Sequence, residues 1–239
     1  NAKGTLLGLF SIGVGWAATQ ADPARRFPKL EQMLLSSDLS ERSLGLEMCK
    51  EWLKTYGGSR IIGPEHQGRR PELKFWAPKT VAEIHDTWRS VIELLIRELR
   101  NPKSASKEDV ADILVHAAGD FLNSSPLRDE AFEILFEIAR NPRLDNKALT
   151  KLIIRKLRID RGGLDEEVVA RIEKLDEIVT GETLWDKIER HVLNSDWDED
   201  YVLNGDGLED NEETTIRVKK LAQQIMEDAS NFENTIPKL

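Results

Sequence analysis

The sequence predicts an all-α fold, a stack of antiparallel helix pairs of the α-solenoid kind, interrupted by one long irregular insertion. Three observations predict it. Arg-Asn-Pro occurs at Arg100 and again at Arg140, a 40-residue interval, each time at the end of an apolar helical pattern. Val91, Ile92, Leu94, Leu95, Ile96 and Leu99 are matched one period later by Ala131, Phe132, Ile134, Leu135, Phe136 and Ala139. A period of this length marks helix pairs that bury their apolar faces only by stacking. The composition agrees: 32% charged and 6% aromatic residues suit long amphipathic helices with solvated outer faces. The glycines and prolines fall mostly between periodic segments, where they punctuate rather than break helices.

Taken in order, residues 4–20 are apolar and glycine-punctuated, which predicts a brief helix or buried connector. Asp22-Pro23 supplies an N-cap and a proline at the first helical position, opening a helix to about Ser36 on the face of Phe27, Leu30, Met33 and Leu34. A second helix runs from about Ser40 to Tyr56 and stops at Gly57-Gly58. Residues 57–78, GGSRIIGPEHQGRRPELKFWAP, hold four glycines and three prolines and form the insertion. Loops longer than about 12–15 residues are uncommon unless functional or disordered, and this one carries Ile61, Ile62, Phe75 and Trp76, so it is expected to fold back on the helices.

Thr80 and Glu83 fit a capping box for a helix that Pro102 stops. Ser106 and Asp109 open the next, to near Asn123; Ser125-Pro126 opens a third, stopped at Asn141-Pro142; Asp145 or a neighbour caps a fourth, to about Asp160. Helices over Asp165–Thr180 and Thr183–Asn194 complete three antiparallel pairs. The expected organisation is therefore 1–56 N-terminal helices, 57–78 insertion, 79–194 helical repeats, 195–211 acidic linker, and 212–239 a last amphipathic helix and tail.

Charge is unevenly placed. Residues 1–160 hold 25 Lys/Arg against 22 Asp/Glu, and residues 161–239 hold 9 against 21, so balances of +3 and −12 make the net −9. The acidic end repels phosphate backbones, so a nucleic acid would have to meet the first two thirds. The single cysteine, Cys49, forms no intramolecular disulfide and no Cys-rich zinc site, and a reducing, cytoplasmic setting is expected. No apolar run reaches 18 residues, so no membrane span is expected. A start at Asn1 predicts a piece of a longer chain.

Motifs for chemistry are missing from this sequence. Asp196, Asp198 and Asp200 alternate like the first ligands of an EF-hand, but Tyr201 stands where glycine is needed and Gly207 where a bidentate Glu should be. A solvated acidic linker is the expectation for 196–213. His66, His85, His116 and His191 lie in separate elements without metal-ligand spacing, and surface or half-buried positions are expected for them. No nucleophile elbow and no phosphate-binding glycine loop occurs, so no catalytic residue, no cofactor and no metal is assigned.

Two basic features remain as binding candidates. Lys147, Lys151, Arg155 and Arg158 follow i, i+4, i+8, i+11 along one side of their helix. In the insertion, Arg60, His66, Arg69 and Arg70 supply cations, Arg69 and Arg70 with bidentate geometry, while Trp76 is an aromatic anchor. For each the plainer alternative is a solvated helix face or a loop that plugs a gap.

The stretch SSDLSERSLGLEMC, Ser36 to Cys49, resembles the turn and inner helix of HEAT and armadillo repeats, with Asp38, Arg42, Leu44 and Leu46 near the family's positions and Gly45 where the family usually has Ala. The runs GVGWAATQADPARRFPKLEQML and SRIIGPEHQGRRPELKFWAPKT resemble helical-repeat regions of large bacterial signalling and antiphage NTPases of the STAND type, which implies a ligand-sensing arm and carries over no catalytic residue. The expected function is thus a non-enzymatic scaffold or sensing segment that binds a protein partner or another part of its own longer chain. The alternative is a HEAT-like nucleic-acid binder, as among helical-repeat DNA glycosylases, using the 147–158 cations; a pI near 5.1 opposes it.

Overall fold

A computed structural model describes residues 2–12, 19, 21–55, 76–123, 125–158 and 160–180. Among these, eight α-helices and no strand occur: α1 Ala2–Gly8, α2 Pro23–Leu34, α3 Leu39–Trp52, α4 Val81–Arg100, α5 Lys107–Phe121, α6 Arg128–Ala139, α7 Lys147–Arg158 and α8 Glu166–Thr180. The fold is all-α, built of packed neighbouring helices. The chain divides into two compact units, Asn1–Val169 and Ala170–Leu239; the expected Thr183–Asn194 helix, the acidic linker and the last helix lie outside the described residues. No described helix is long and apolar enough to cross a membrane.

Local chemistry sets the boundaries. Asp22 Oδ1 accepts the Arg25 N–H at 2.9 Å, with Pro23 at the first helical position, as expected. Asp38 Oδ1 caps α3 through the N–H groups of Ser40 (2.8 Å) and Glu41 (3.0 Å). The Thr80 hydroxyl accepts from Glu83 N–H at 3.2 Å, while Glu83 reaches back one residue beyond the usual box to the Lys79 N–H at 2.7 Å. Ser106 departs from expectation: it stands at the start of α5 but its side chain makes no cap bond. Asp109 and Glu108, in the first turn, are left to favour the helix dipole there. Ser125-Pro126 first forms a 3-10 turn, and α6 begins only at Arg128. The α3 helix ends at Trp52, four residues before the predicted Tyr56.

The two Arg-Asn-Pro triplets fold alike. Asn101 Oδ1 accepts the Lys103 N–H at 3.1 Å, and Asn141 Oδ1 accepts the Arg143 N–H at 3.1 Å, so each triplet ends its helix in the same side-chain-closed turn. Asn101 is extended (φ −67°, ψ 114°), as the following proline requires.

Within the first unit, α2, α4 and α6 are linked by ion pairs, and α3 and α7 each pack on α5; these two sets are called the row of first helices and the row of second helices. In the row of first helices, Glu31 of α2 pairs with Arg97 of α4, and Arg89 and Arg100 of α4 pair with Glu130 and Glu137 of α6 at 2.9 and 2.7 Å. Early residues meet early residues and late meet late, so α4 and α6 run parallel. In the row of second helices α3, α5 and α7 neighbour one another, and Thr55, just after α3, donates to Asp120 near the end of α5 at 3.2 Å.

At the middle stands α5, which packs against α3, α4, α6 and α7. It buries Val110, Ala111, Ile113, Leu114, Val115, Ala117, Ala118, Gly119 and Phe121. Sequence reading pairs α6 with α7; instead both come close to α5, because its run of small residues admits neighbours on several sides.

Glycines mark two tight crossings. A Cβ on Gly45 would lie 2.5 Å from Leu34 N and 2.8 Å from Met33 C, backbone atoms of α2, so α2 and α3 touch main chain to side-chain-free surface. The glycine that departs from the HEAT pattern is thus required by this crossing. On Gly119 the nearest atom is Leu152 Cδ1 at 2.7 Å, the movable end of a side chain. We expect Gly45→Ala to lower unfolding free energy by about 1–3 kcal/mol through forced backbone movement, despite the better helix propensity of Ala. Gly119→Ala should stay within about 1 kcal/mol of the wild type, since Leu152 can turn aside. Urea denaturation of both variants measures the contrast.

Candidate functional site

The row of second helices presents an ordered charge pattern. On α5, Asp109, Asp112, His116 and Asp120 are exposed at spacings of three and four residues, one stripe of the helix. On α3, Lys50 is exposed on a helix that also carries Glu41, Glu47 and Glu51, and Lys54 follows the end of that helix. On α7, whose sequence KALTKLIIRKLR has five cations and no acid, Lys147, Lys151 and Arg155 are exposed one turn apart. An acidic column therefore belongs to α5 and a basic column to its neighbour α7.

The electrostatics tie the columns together. Asp112 titrates above its usual range, chiefly because its neighbours strip part of its hydration even though its side chain reaches solvent; His116 and Lys50 oppose the rise, and Asp109 and Asp145 add to it. Asp145, in the turn before α7, accepts the Lys147 N–H at 3.0 Å and pairs with the Lys147 ammonium at 3.3 Å. Thus the first cation of the α7 stripe is engaged locally. Lys156, the inward cation of α7, is buried and bound to Asp160 at 2.8 Å.

The remaining predicted site residues separate. Arg60, His66, Arg69 and Arg70 lie outside the described residues, as does the side chain of Arg158. Trp76 is half-buried: its ring lies 5.7 Å from the Arg26 guanidinium, and its backbone N–H donates to Thr19 O at 3.1 Å. His85, expected at a surface or half-buried position, is buried and stacked on Trp88 at 5.8 Å, one turn along the same helix. His116 is exposed as expected, while His191 and the 196–213 acids fall outside the described residues.

Sequence reasoning missed two features. The α5 acidic stripe was readable from its 109, 112, 116, 120 spacing. Arg26 was readable too, since it lies four residues before Leu30 and seven before Met33 on the apolar stripe of α2, whereas Arg25 does not. Arg26 is 6% exposed, donates through Nη1 to Leu9 O (2.8 Å) and Ser11 O (3.2 Å), and lies over Trp52 at 5.3 Å. Burial lowers its guanidinium to about 10, partly offset by Asp22.

An open cleft of about 750 Å³ adjoins this region, lined by Pro23, Ala24, Phe27 and Trp52 on one side and Thr80, Glu83, Asp86 and Thr87 on the other. Pro28, inside α2, has no N–H for the Ala24 carbonyl, which leaves that carbonyl at the cleft without its helical donor. The polar groups opposite are engaged: Thr87 donates to Glu83 O at 2.7 Å, and Asp86 pairs with Arg89 at 3.0 Å. Cys49 is buried, its thiol pushed up to about 12 by desolvation, which makes it a poor nucleophile. Among the described residues no group of three or more His, Cys, Asp or Glu is placed to hold a metal ion.

No protein-family model, curated protein or solved structure matches the chain.

The raised Asp112 carboxyl has a defined consequence. An acid whose folded pKa exceeds its unfolded value of 3.8 is a liability wherever it is ionised, and that liability disappears as pH falls below 3.8. Asp112→Asn should therefore raise the urea midpoint at pH 7, with the gain shrinking as pH falls through the folded pKa and gone below pH 3.8. Paired urea titrations across this range measure it.

Proposed function

We propose that the chain is a non-catalytic helical-repeat scaffold, an α-solenoid segment of the HEAT-like kind, that binds a protein partner across the exposed face of α3, α5 and α7. The observation that carries this reading is the ordered charge on that face: basic α7 beside the acidic stripe of α5. Exposed ion pairs contribute little to stability, so columns of charge on an exposed face are better suited to selecting a partner than to holding the fold. A mixed pattern fits a polypeptide of complementary pattern, with acids for Lys151 and Arg155 and a cation for the α5 stripe. A continuous phosphate backbone would be repelled by Asp109, Asp112 and Asp120, which weighs against a nucleic-acid partner.

In this reading the segment belongs to a longer cytoplasmic bacterial protein and serves as its ligand-sensing arm, as the resemblance to STAND-type antiphage proteins implies. Arg69 and Arg70, outside the described residues, are two further cations that this reading assigns to the partner.

The test is affinity capture with the tagged chain. A protein retained by the wild type, lost on Lys151→Glu with Arg155→Glu, and weakened at least tenfold in 0.5 M salt is the expected result. Retention of duplex DNA with a steep salt slope would favour the nucleic-acid reading instead, and retention unaffected by the double reversal would remove α7 from the interface.

A further inference from the structure

The guanidinium of Arg26 has five N–H donors, and their distribution is uneven. Nη1 is used twice, on Leu9 O and Ser11 O. Nε and Nη2 are buried and have no acceptor. Those two nitrogens form one edge of the group, and the same edge binds a carboxylate elsewhere in this chain: Arg100 donates from Nε to Glu137 Oε1 at 2.8 Å and from Nη2 to Oε2 at 2.7 Å. A buried charged donor left without an acceptor is strongly unfavourable, which makes the empty edge a feature to be explained.

Neighbouring acids do not fill it. Asp22, the acid nearest in electrostatic effect, spends one oxygen on the Arg25 N–H at 2.9 Å and sets the other 3.6 Å from Arg25 Nε. Meanwhile the faces of the guanidinium are held by two indoles, Trp52 at 5.3 Å and Trp76 at 5.7 Å. This is a preorganised arrangement, with the cation fixed in plane and its bidentate edge unspent.

We propose that Arg26 anchors an oxyanion site in which its Nε–H and Nη2–H donate to two oxygens of a carboxylate or phosphate group, between the walls of Trp52 and Trp76. Entry is from the Trp76 side. Trp52 is fixed in α3, 1% exposed, with its Nε1–H bonded to Thr87 O at 3.1 Å and the rings of Phe10 and Phe27 about it. Trp76 lies outside any helix and is half-buried, whereas Trp52 is fixed in the core, so the Trp76 side is the shorter way to solvent. The site stands apart from the charged face of α3, α5 and α7 and does not depend on that reading.

Thermal unfolding of the whole chain in sodium phosphate, sodium acetate and sodium chloride at matched ionic strength and pH 7 tests it. The expected result is a saturable rise in Tm of about 2–4 °C in phosphate or acetate over chloride. A rise in acetate alone assigns a carboxylate ligand, and one in phosphate assigns a phosphate. Arg26→Lys, which keeps the charge but loses the edge, should abolish the saturable part, and Trp76→Phe, which keeps a ring over the guanidinium, should retain it. Equal Tm values in the three salts overturn the proposal on the wild type alone, even if Arg26→Lys does not fold. An undiminished saturable rise in a folded Arg26→Lys chain overturns it as well.

Discussion

The first unit depends on the burial of α5 on several sides at once. A helix with four helical neighbours has little surface left for solvent, and its sequence reflects this: one narrow stripe, Asp109, Asp112, His116 and Asp120, is exposed, and nearly everything else is apolar or small. Ala111, Ala117, Ala118 and Gly119 set how near the neighbours come, while Leu114 and Phe121, at 0% and 1% exposure, fill the space between them. Each fully buried side chain of the larger kind stabilises the fold by about 1.5–3 kcal/mol, so α5 concentrates much of the hydrophobic driving force. The same small-residue logic recurs at Gly45, where α2 and α3 meet with no room for a methyl group.

From that constraint the two rows follow. With α3 and α7 beside α5, the first helices α2, α4 and α6 are joined by ion pairs at exposed or half-exposed positions, Glu31–Arg97, Arg89–Glu130 and Arg100–Glu137. Such pairs contribute little each, so they register neighbouring helices rather than hold them. The apolar contacts hold; the charges align. On the second-helix row the α5 acids and α7 cations stand at exposed positions, and Arg26, beside Trp52 and Trp76, is a charge drawn into the interior with Nε and Nη2 unpartnered.

Much of this was readable in the residues. Period and helix stops came through because Asn-Pro acts locally: proline ends the helix and the Asn side chain closes the turn, with the same geometry at Asn101 and Asn141. Asp22 and Thr80 were readable as caps for the same reason. Ser106 misled because capping depends on a rotamer and a backbone angle that residue type does not fix. The grouping of α6 and α7 around α5 was not readable, since two helices adjacent in sequence and two adjacent in space carry the same apolar periodicity. For the candidate site, the α7 stripe was visible as spacing, whereas the approach of Trp76 to Arg26, fifty residues away in sequence, was not.

The claim that α5 is the centre of the first unit is tested most directly by native-state hydrogen exchange of the backbone amides across a urea series. The account predicts that amides of Leu114, Val115 and Ala118 exchange only through global unfolding, with the full urea dependence of the equilibrium transition, while those of α1 exchange through smaller openings. Exchange of the α5 amides through local, urea-independent openings while α2 and α3 remain protected would contradict it.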